Sequence, residues 1–126
     1  MLAVYWLAIF VGSHVPKQWS PDLAKTDKLV HVTAYAGLSF LLAWFVSLRR
    51  PLRIQTFALL LAVVAGYGAL DELAQLLVPG RYGDMWDWAA DLIGGVVGLI
   101  GFRLLQAALK CFPIGNPEQR PFGGGE

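Results

Sequence analysis

The sequence predicts an all-α fold, a transmembrane four-helix bundle with three clear spans and a shorter first helix. Composition is the first observation behind this: 56% of the 126 residues are hydrophobic and 15% are charged, against roughly 45–50% and about 25% in soluble domains. Segmentation is the second, because the windows Leu29–Leu48, Ile54–Val78 and Trp88–Phe112 reach the roughly 20 apolar residues that cross a bilayer. The third is punctuation: Pro, Gly and charge gather between those windows. A chain this small supports one domain. In water its apolar surface would form aggregating patches, which disfavours a soluble enzyme, and the same composition excludes disorder.

The first element, Leu2–Val15, is short for a full span. Its apolar stretch Met1–Val11 has the character of a secretory signal core, but no basic residue precedes it and Pro16 follows Gly12-Ser13-His14 where small residues would mark cleavage. It reads as a short or partly interfacial helix, which tilt or local thinning of the bilayer accommodates. The first connection holds Pro16, Pro21 and the charges Lys17, Asp22, Lys25, Asp27 and Lys28; the second is Arg49-Arg50-Pro51 with Arg53; the third runs from Pro79 through Gly80, Arg81, Tyr82 and Gly83 to Asp84. Pro and Gly end helices there for steric and entropic reasons. Beyond Cys111 come Pro113, Pro117 and Gly123-Gly124-Gly125, so residues 1–112 read as the helical domain and 113–126 as a flexible tail.

Lys and Arg set orientation. Arg49, Arg50, Arg53, Arg103, Lys110 and Arg120 fall on one side and Lys17, Lys25, Lys28 and Arg81 on the other. This favours a multi-pass protein of the cell membrane with both termini cytoplasmic, Arg103 snorkelling inward. A net charge of +1 gives no basic face for nucleic acid. The single Cys111 excludes an internal disulfide and any CxxC motif.

Antiparallel threading brings the start of helix 2, the end of helix 3 and the start of helix 4 to one membrane face. Those three places hold nearly every polar residue of the apolar windows: Asp27, Lys28, His31 and Tyr35; Asp71, Glu72 and Gln75; and Asp87 and Asp91, with Arg81 and Asp84 in the adjoining loop. His31, Glu72 and Asp91 fall roughly 5–10 Å in from their helix ends at 1.5 Å per residue. Asp27, His31 and Tyr35 share one helical stripe, and Asp87, Asp91, Gly94 and Gly98 form another. The GxxxG spacing of Gly94 and Gly98 suits close helix packing, within the chain or in a homo-oligomer. Taken singly these residues have plainer readings: a structural or interfacial histidine, solvated helix starts, and an interfacial belt of Trp19, Trp86 and Trp88. Together the carboxylates outnumber the nearby cations, Lys28 and Arg81. Ionisable groups at this depth are expensive and tend to mark function. The excess acid is consistent with protonated carboxyls, with a bound cation or cationic group, or with acid–base chemistry at a headgroup.

At these residues the sequence resembles the VanZ-like family of small integral membrane proteins. The resemblance is carried by Asp27-Lys28-Leu29-Val30-His31-Val32-Thr33-Ala34-Tyr35, by Gly68-Ala69-Leu70-Asp71-Glu72-Leu73-Ala74-Gln75, by Pro79-Gly80-Arg81, and by Asp84-Met85-Trp86-Asp87-Trp88-Ala89-Ala90-Asp91-Leu92-Ile93-Gly94-Gly95. It covers about residues 10–100, and Ser13 before Pro16 fits the family's first connection. One position departs: the family commonly has Asn where this chain has Asp91, which adds a charge. The resemblance implies a link to glycopeptide (teicoplanin-type) antibiotic resistance. The expected function is a polar, acidic pocket near one membrane face that binds or modifies a lipid-linked or cell-envelope molecule. The binding set is Lys28, His31, Tyr35, Glu72, Gln75, Arg81, Asp84, Asp87 and Asp91, with His31, Glu72 and Asp87 central and candidates for catalysis. In this set Arg81 would hold an anionic headgroup or orient a carboxylate, and Tyr35 and Gln75 would support by hydrogen bonding.

Competing readings remain at this level. A membrane-embedded hydrolase or transferase would use a carboxylate or His31 as base, although neither G-x-S-x-G nor H-E-x-x-H is present. No cofactor is evident; a cation could be held by His31 with carboxylates. The alternative class is a non-enzymatic accessory or assembly protein whose polar layer only locks the helices together. A proton-coupled transporter would need acids distributed in depth rather than in one shallow layer.

Overall fold

The computed structural model describes residues 1–14, 23–79 and 83–111. It contains α1 (Leu2–Ser13), α2 (Leu23–Ser47), α3 (Ile54–Gln75) and α4 (Met85–Cys111), with no strand among the described residues. α2 from Asp27 onward, α3 and α4 are each long and apolar enough to cross a membrane. At 1.5 Å per residue the 12 residues of α1 reach only about 18 Å, so the first helix is as short as its sequence implies. The expected tail, 113–126, lies outside the described residues.

α2 and α4 start before their apolar windows, and α3 stops short of the end of its own. α2 starts at Leu23, so Asp27 and Lys28 are helical and not part of a connection. The apolar criterion locates hydrocarbon, whereas helix needs only the absence of Pro and Gly, and residues 23–28 contain neither. α4 likewise starts before its window, because Asp84 caps it: the Asp84 carboxylate accepts the Trp86 N–H at 2.9 Å, and its carbonyl accepts the Asp87 and Trp88 N–H groups at 2.9 and 3.2 Å. α3 stops at Gln75, and the chain tightens into turns in which Leu77 N–H donates to Ala74 and Val78 N–H to Gln75, both at 3.0 Å. Asp84→Ala should cost about 1 kcal/mol through loss of the cap, whereas Asp84→Ser, which still accepts from Trp86, should retain most of it; thermal unfolding in detergent reads the difference.

The core forms where the helices meet. α2 and α4 share the most extensive contact, α3 packs mainly on α4, and α1 lies across α2 and α3. Leu38, Leu42 and Ala43 of α2, Leu60 and Val64 of α3, and Leu99 and Phe102 of α4 are buried together. α1 has no buried residue; its ties include Tyr5, whose hydroxyl donates to the Ala34 carbonyl at 3.0 Å, and Trp6, edge-on to Tyr67 at 5.2 Å. Outward positions such as Leu29, Trp44, Leu59, Ile93 and Val97 are exposed and apolar, as a lipid-facing surface requires. At the face opposite the polar layer, the Arg103 guanidinium lies over Phe57 in the first turn of α3, 5.1 Å from the ring centroid.

Gly94 and Gly98 settle one expectation. A methyl group at Gly94 would strike the Val32 carbonyl oxygen, and one at Gly98 would strike the Ala36 carbonyl oxygen and Ser39 Oγ. The small-residue seam is therefore filled by α2 of the same chain. It is not available as a seam between copies, which corrects the homo-oligomer reading of these two glycines.

Candidate functional site

The polar stripe of α2 faces the carboxylate stripe of α4 at one end of the bundle. His31, 5% exposed, directs Nδ1 at Asp91 Oδ1 at 2.7 Å, and Asp91 is fully buried. An ionised carboxylate only accepts, so the ring donates from Nδ1, and in the neutral imidazole Nε2 then keeps its lone pair. Asp27 Oδ1 lies 3.9 Å from Nε2, one turn earlier on α2. Lys28 sits at the rim: its ammonium donates to Asp87 Oδ1 at 2.9 Å and Asp84 Oδ2 at 3.1 Å while the side chain stays largely exposed. From α3, Glu72 Oε2 accepts the Asp84 backbone N–H at 2.8 Å, fastening the end of α3 to the start of α4.

His31, Glu72 and Asp87 converge. Each is buried, and one donor atom from each lies within 4.8 Å of the other two. Three helices thus deliver an imidazole and two carboxylates to one place, although the residues are 41 and 15 positions apart in sequence.

Asp91 fits because α3 offers no side chain opposite it. A Cβ at Gly68 would lie 2.9 Å from Asp91 Oδ2, too close for a contact. Tyr35, one turn beyond His31 and 1% exposed, stacks near the imidazole at 6.4 Å and near Tyr67 at 5.9 Å. Three oxygens in this region, Tyr35 Oη, Glu72 Oε1 and Asp91 Oδ2, are buried without a hydrogen-bond partner among the described residues. Such groups are uncommon in folded proteins and call for an explanation.

A second polar group adjoins the first. Asp71, 1% exposed, accepts from Ser13 Oγ at 2.8 Å and from Gln75 Nε2 at 3.2 Å, with His14 Nδ1 3.7 Å away. Ser13, His14 and Asp71 are thus site residues that the sequence-level set omits; the signal was the position of Ser13-His14 at the end of α1, which threading brings to the same face. They do not form a nucleophilic relay. Such a relay places the hydroxyl and the carboxylate on different ring nitrogens, whereas here His14 Nδ1 faces both Ser13 Oγ, at 3.1 Å, and Asp71.

Of the expected binding set, the structure gathers Lys28, His31, Tyr35, Glu72, Asp84, Asp87 and Asp91 around one group. Gln75 is bonded instead to Asp71, and Arg81 lies outside the described residues. Trp88 departs from a purely interfacial role, since its indole N–H donates to the Ala65 carbonyl of α3 at 3.0 Å; Trp86 is exposed as expected, and Trp19 lies outside the described residues.

The comparisons with known proteins agree with this arrangement at the level of family. No curated protein and no solved structure matches the chain. The VanZ/LLP1 family matches it over residues 2–106, an interval that contains all four helices up to the last turns of α4. Its three apolar spans and this match together identify the chain as a multi-pass membrane protein that belongs to the VanZ/LLP1 family.

Proposed function

We propose that the polar group at this end of the bundle is a binding site for the polar head of a lipid-linked or cell-envelope molecule, and that through it the protein acts in glycopeptide (teicoplanin-type) resistance. The observation that carries this reading is the convergence of buried His31, Glu72 and Asp87 from three helices, with the buried Glu72 Oε1 left unbonded. A purely structural layer would use its acceptors up between helices. Placement near helix ends suits a molecule whose head lies at the membrane surface and whose chain stays in lipid. With both termini cytoplasmic, as the Arg-rich second connection favours, the site faces outward, toward the envelope. Arg81 in the adjacent loop would neutralise an anionic head.

A second reading has its own support. The His31–Asp91 bond joins α2 to α4, and the Ser13–Asp71 bond joins α1 to α3, as a structural lock in an accessory protein would. Expression in a teicoplanin-sensitive host separates the two. His31→Ala, Glu72→Gln and Asp87→Asn should each return the inhibitory concentration to that of the empty vector, with the protein still present in the membrane at the wild-type level. Disappearance of the variants from the membrane would favour the lock, and full protection by all three would rule out a role for the site.

A further inference from the structure

We infer that His31, Glu72 and Asp87 form a binding site for one divalent first-row metal ion, with Asp91 as the positioning residue behind the imidazole. Each of the three has spent one donor atom on the protein and keeps another. His31 uses Nδ1 on Asp91 and keeps Nε2. Glu72 uses Oε2 on the Asp84 amide and keeps Oε1. Asp87 uses Oδ1 on Lys28 and keeps Oδ2. Glu72 Oε1 is the independent sign of a ligand: it is buried, on a side chain 9% exposed, and has no hydrogen-bond partner among the described residues. A buried carboxylate oxygen without a donor is costly, and a cation supplies what the protein does not.

The group behind the imidazole has the form that metal sites use. A ligating histidine commonly donates its other ring N–H to a carboxylate, which fixes the tautomer and aims the lone pair at the metal. Asp91 stands in that relation to His31 at 2.7 Å. Donors around a single ion at about 2.0–2.2 Å from it stand no more than about 4 Å apart. One donor atom from each residue already lies within 4.8 Å of the other two, and side-chain rotation would draw the set in to that spacing. One imidazole and two carboxylates without a thiolate suit Mn²⁺ or Zn²⁺. Three protein ligands leave coordination positions open, and an oxygen of an anionic head would enter there; that last step rests on the function proposed above, whereas the metal site does not.

The test uses the full chain purified in detergent and stripped with a chelator. Mn²⁺ titration followed by electron paramagnetic resonance, and Zn²⁺ by elemental analysis after desalting, should show one saturable ion per chain. Glu72→Gln and Asp87→Asn, which preserve volume, should each weaken binding at least tenfold, and Asp91→Asn should weaken it roughly 10–100-fold; Ser47→Ala, at the far end of α2, should leave it unchanged. Circular dichroism and a monodisperse elution profile establish that each variant is folded. Absence of saturable Mn²⁺ or Zn²⁺ binding by folded wild type, or unchanged binding in Glu72→Gln and Asp87→Asn, overturns the site. Protection from teicoplanin that depends on these residues without metal binding would leave the proposed function standing and remove the metal; metal binding with protection unaffected would do the reverse.

Discussion

Gly98→Leu is expected to abolish the stable bundle. Even the first carbon of the new side chain would run into the Ala36 carbonyl oxygen and Ser39 Oγ, and would approach the Ala36 carbonyl carbon at 2.8 Å. Two of these atoms are helix backbone, which cannot swing aside as the end of a side chain can. α2 and α4 would have to separate along their most extensive contact. Overpacking of a well-fitted core costs about 1–3 kcal/mol and occasionally more; here the obstacle is backbone and the added group is four carbons, so at least about 3 kcal/mol is expected. That is a large part of the roughly 5–15 kcal/mol available to a whole domain. Gly66→Leu is the matched control, since Gly66 is also a helical glycine but nothing lies within 4 Å of its absent Cβ. Unfolding of detergent-purified protein by SDS should show Gly98→Leu collapsed or missing and Gly66→Leu close to wild type. Equal midpoints for Gly98→Leu and wild type would mean that the α2–α4 contact is not what holds the bundle.

Much of this arrangement is legible in the sequence because a bilayer leaves few solutions for the backbone. Apolar windows of sufficient length must be helices, and short connections make neighbours antiparallel. From that alone, His31, Glu72 and Asp91 had to share a depth. The row Asp87, Asp91, Gly94, Gly98 had to face inward, because a carboxylate cannot face lipid and glycines admit a close neighbour. What remained illegible was which neighbour. Nothing in the spacing of Gly94 and Gly98 distinguishes α2 of the same chain from a second copy, and only the fit against Val32 and Ala36 decides it. The exclusion of Ser13, His14 and Asp71 has a similar cause. Partners 58 residues apart are joined by the rotation of α1 about its own axis, and a helix with no polar stripe gives no sign of that rotation. Gln75 illustrates the reverse case: three residues after Glu72 and four after Asp71, it was on a shared stripe with both, and the hydrogen bond to Asp71 chose one.

The second large effect is at Asp91, where alanine and asparagine should part company. Asp91→Ala removes the acceptor of a 2.7 Å bond and leaves the imidazole N–H of His31 facing a cavity at a fully buried position. A buried donor left without its acceptor costs about 1–3 kcal/mol, and the cavity left by the lost carboxylate adds to that. Asp91→Asn keeps the volume and keeps a carbonyl oxygen that can accept from Nδ1, with the amide group turned toward Gly68. Its cost should be within about 1 kcal/mol, the net worth of an ordinary hydrogen bond. The bundle then needs an acceptor for the histidine at this position, and the charge of Asp91 goes beyond that need. Unfolding midpoints for wild type, Asp91→Asn, Asp91→Ala, His31→Ala and the double alanine variant complete a cycle, in which His31 and Asp91 in direct contact should couple by about 0.5–3 kcal/mol. If Asp91→Asn proves as damaging as Asp91→Ala, the negative charge itself holds α2 to α4. If neither variant lowers the midpoint, the pair does not hold α2 to α4.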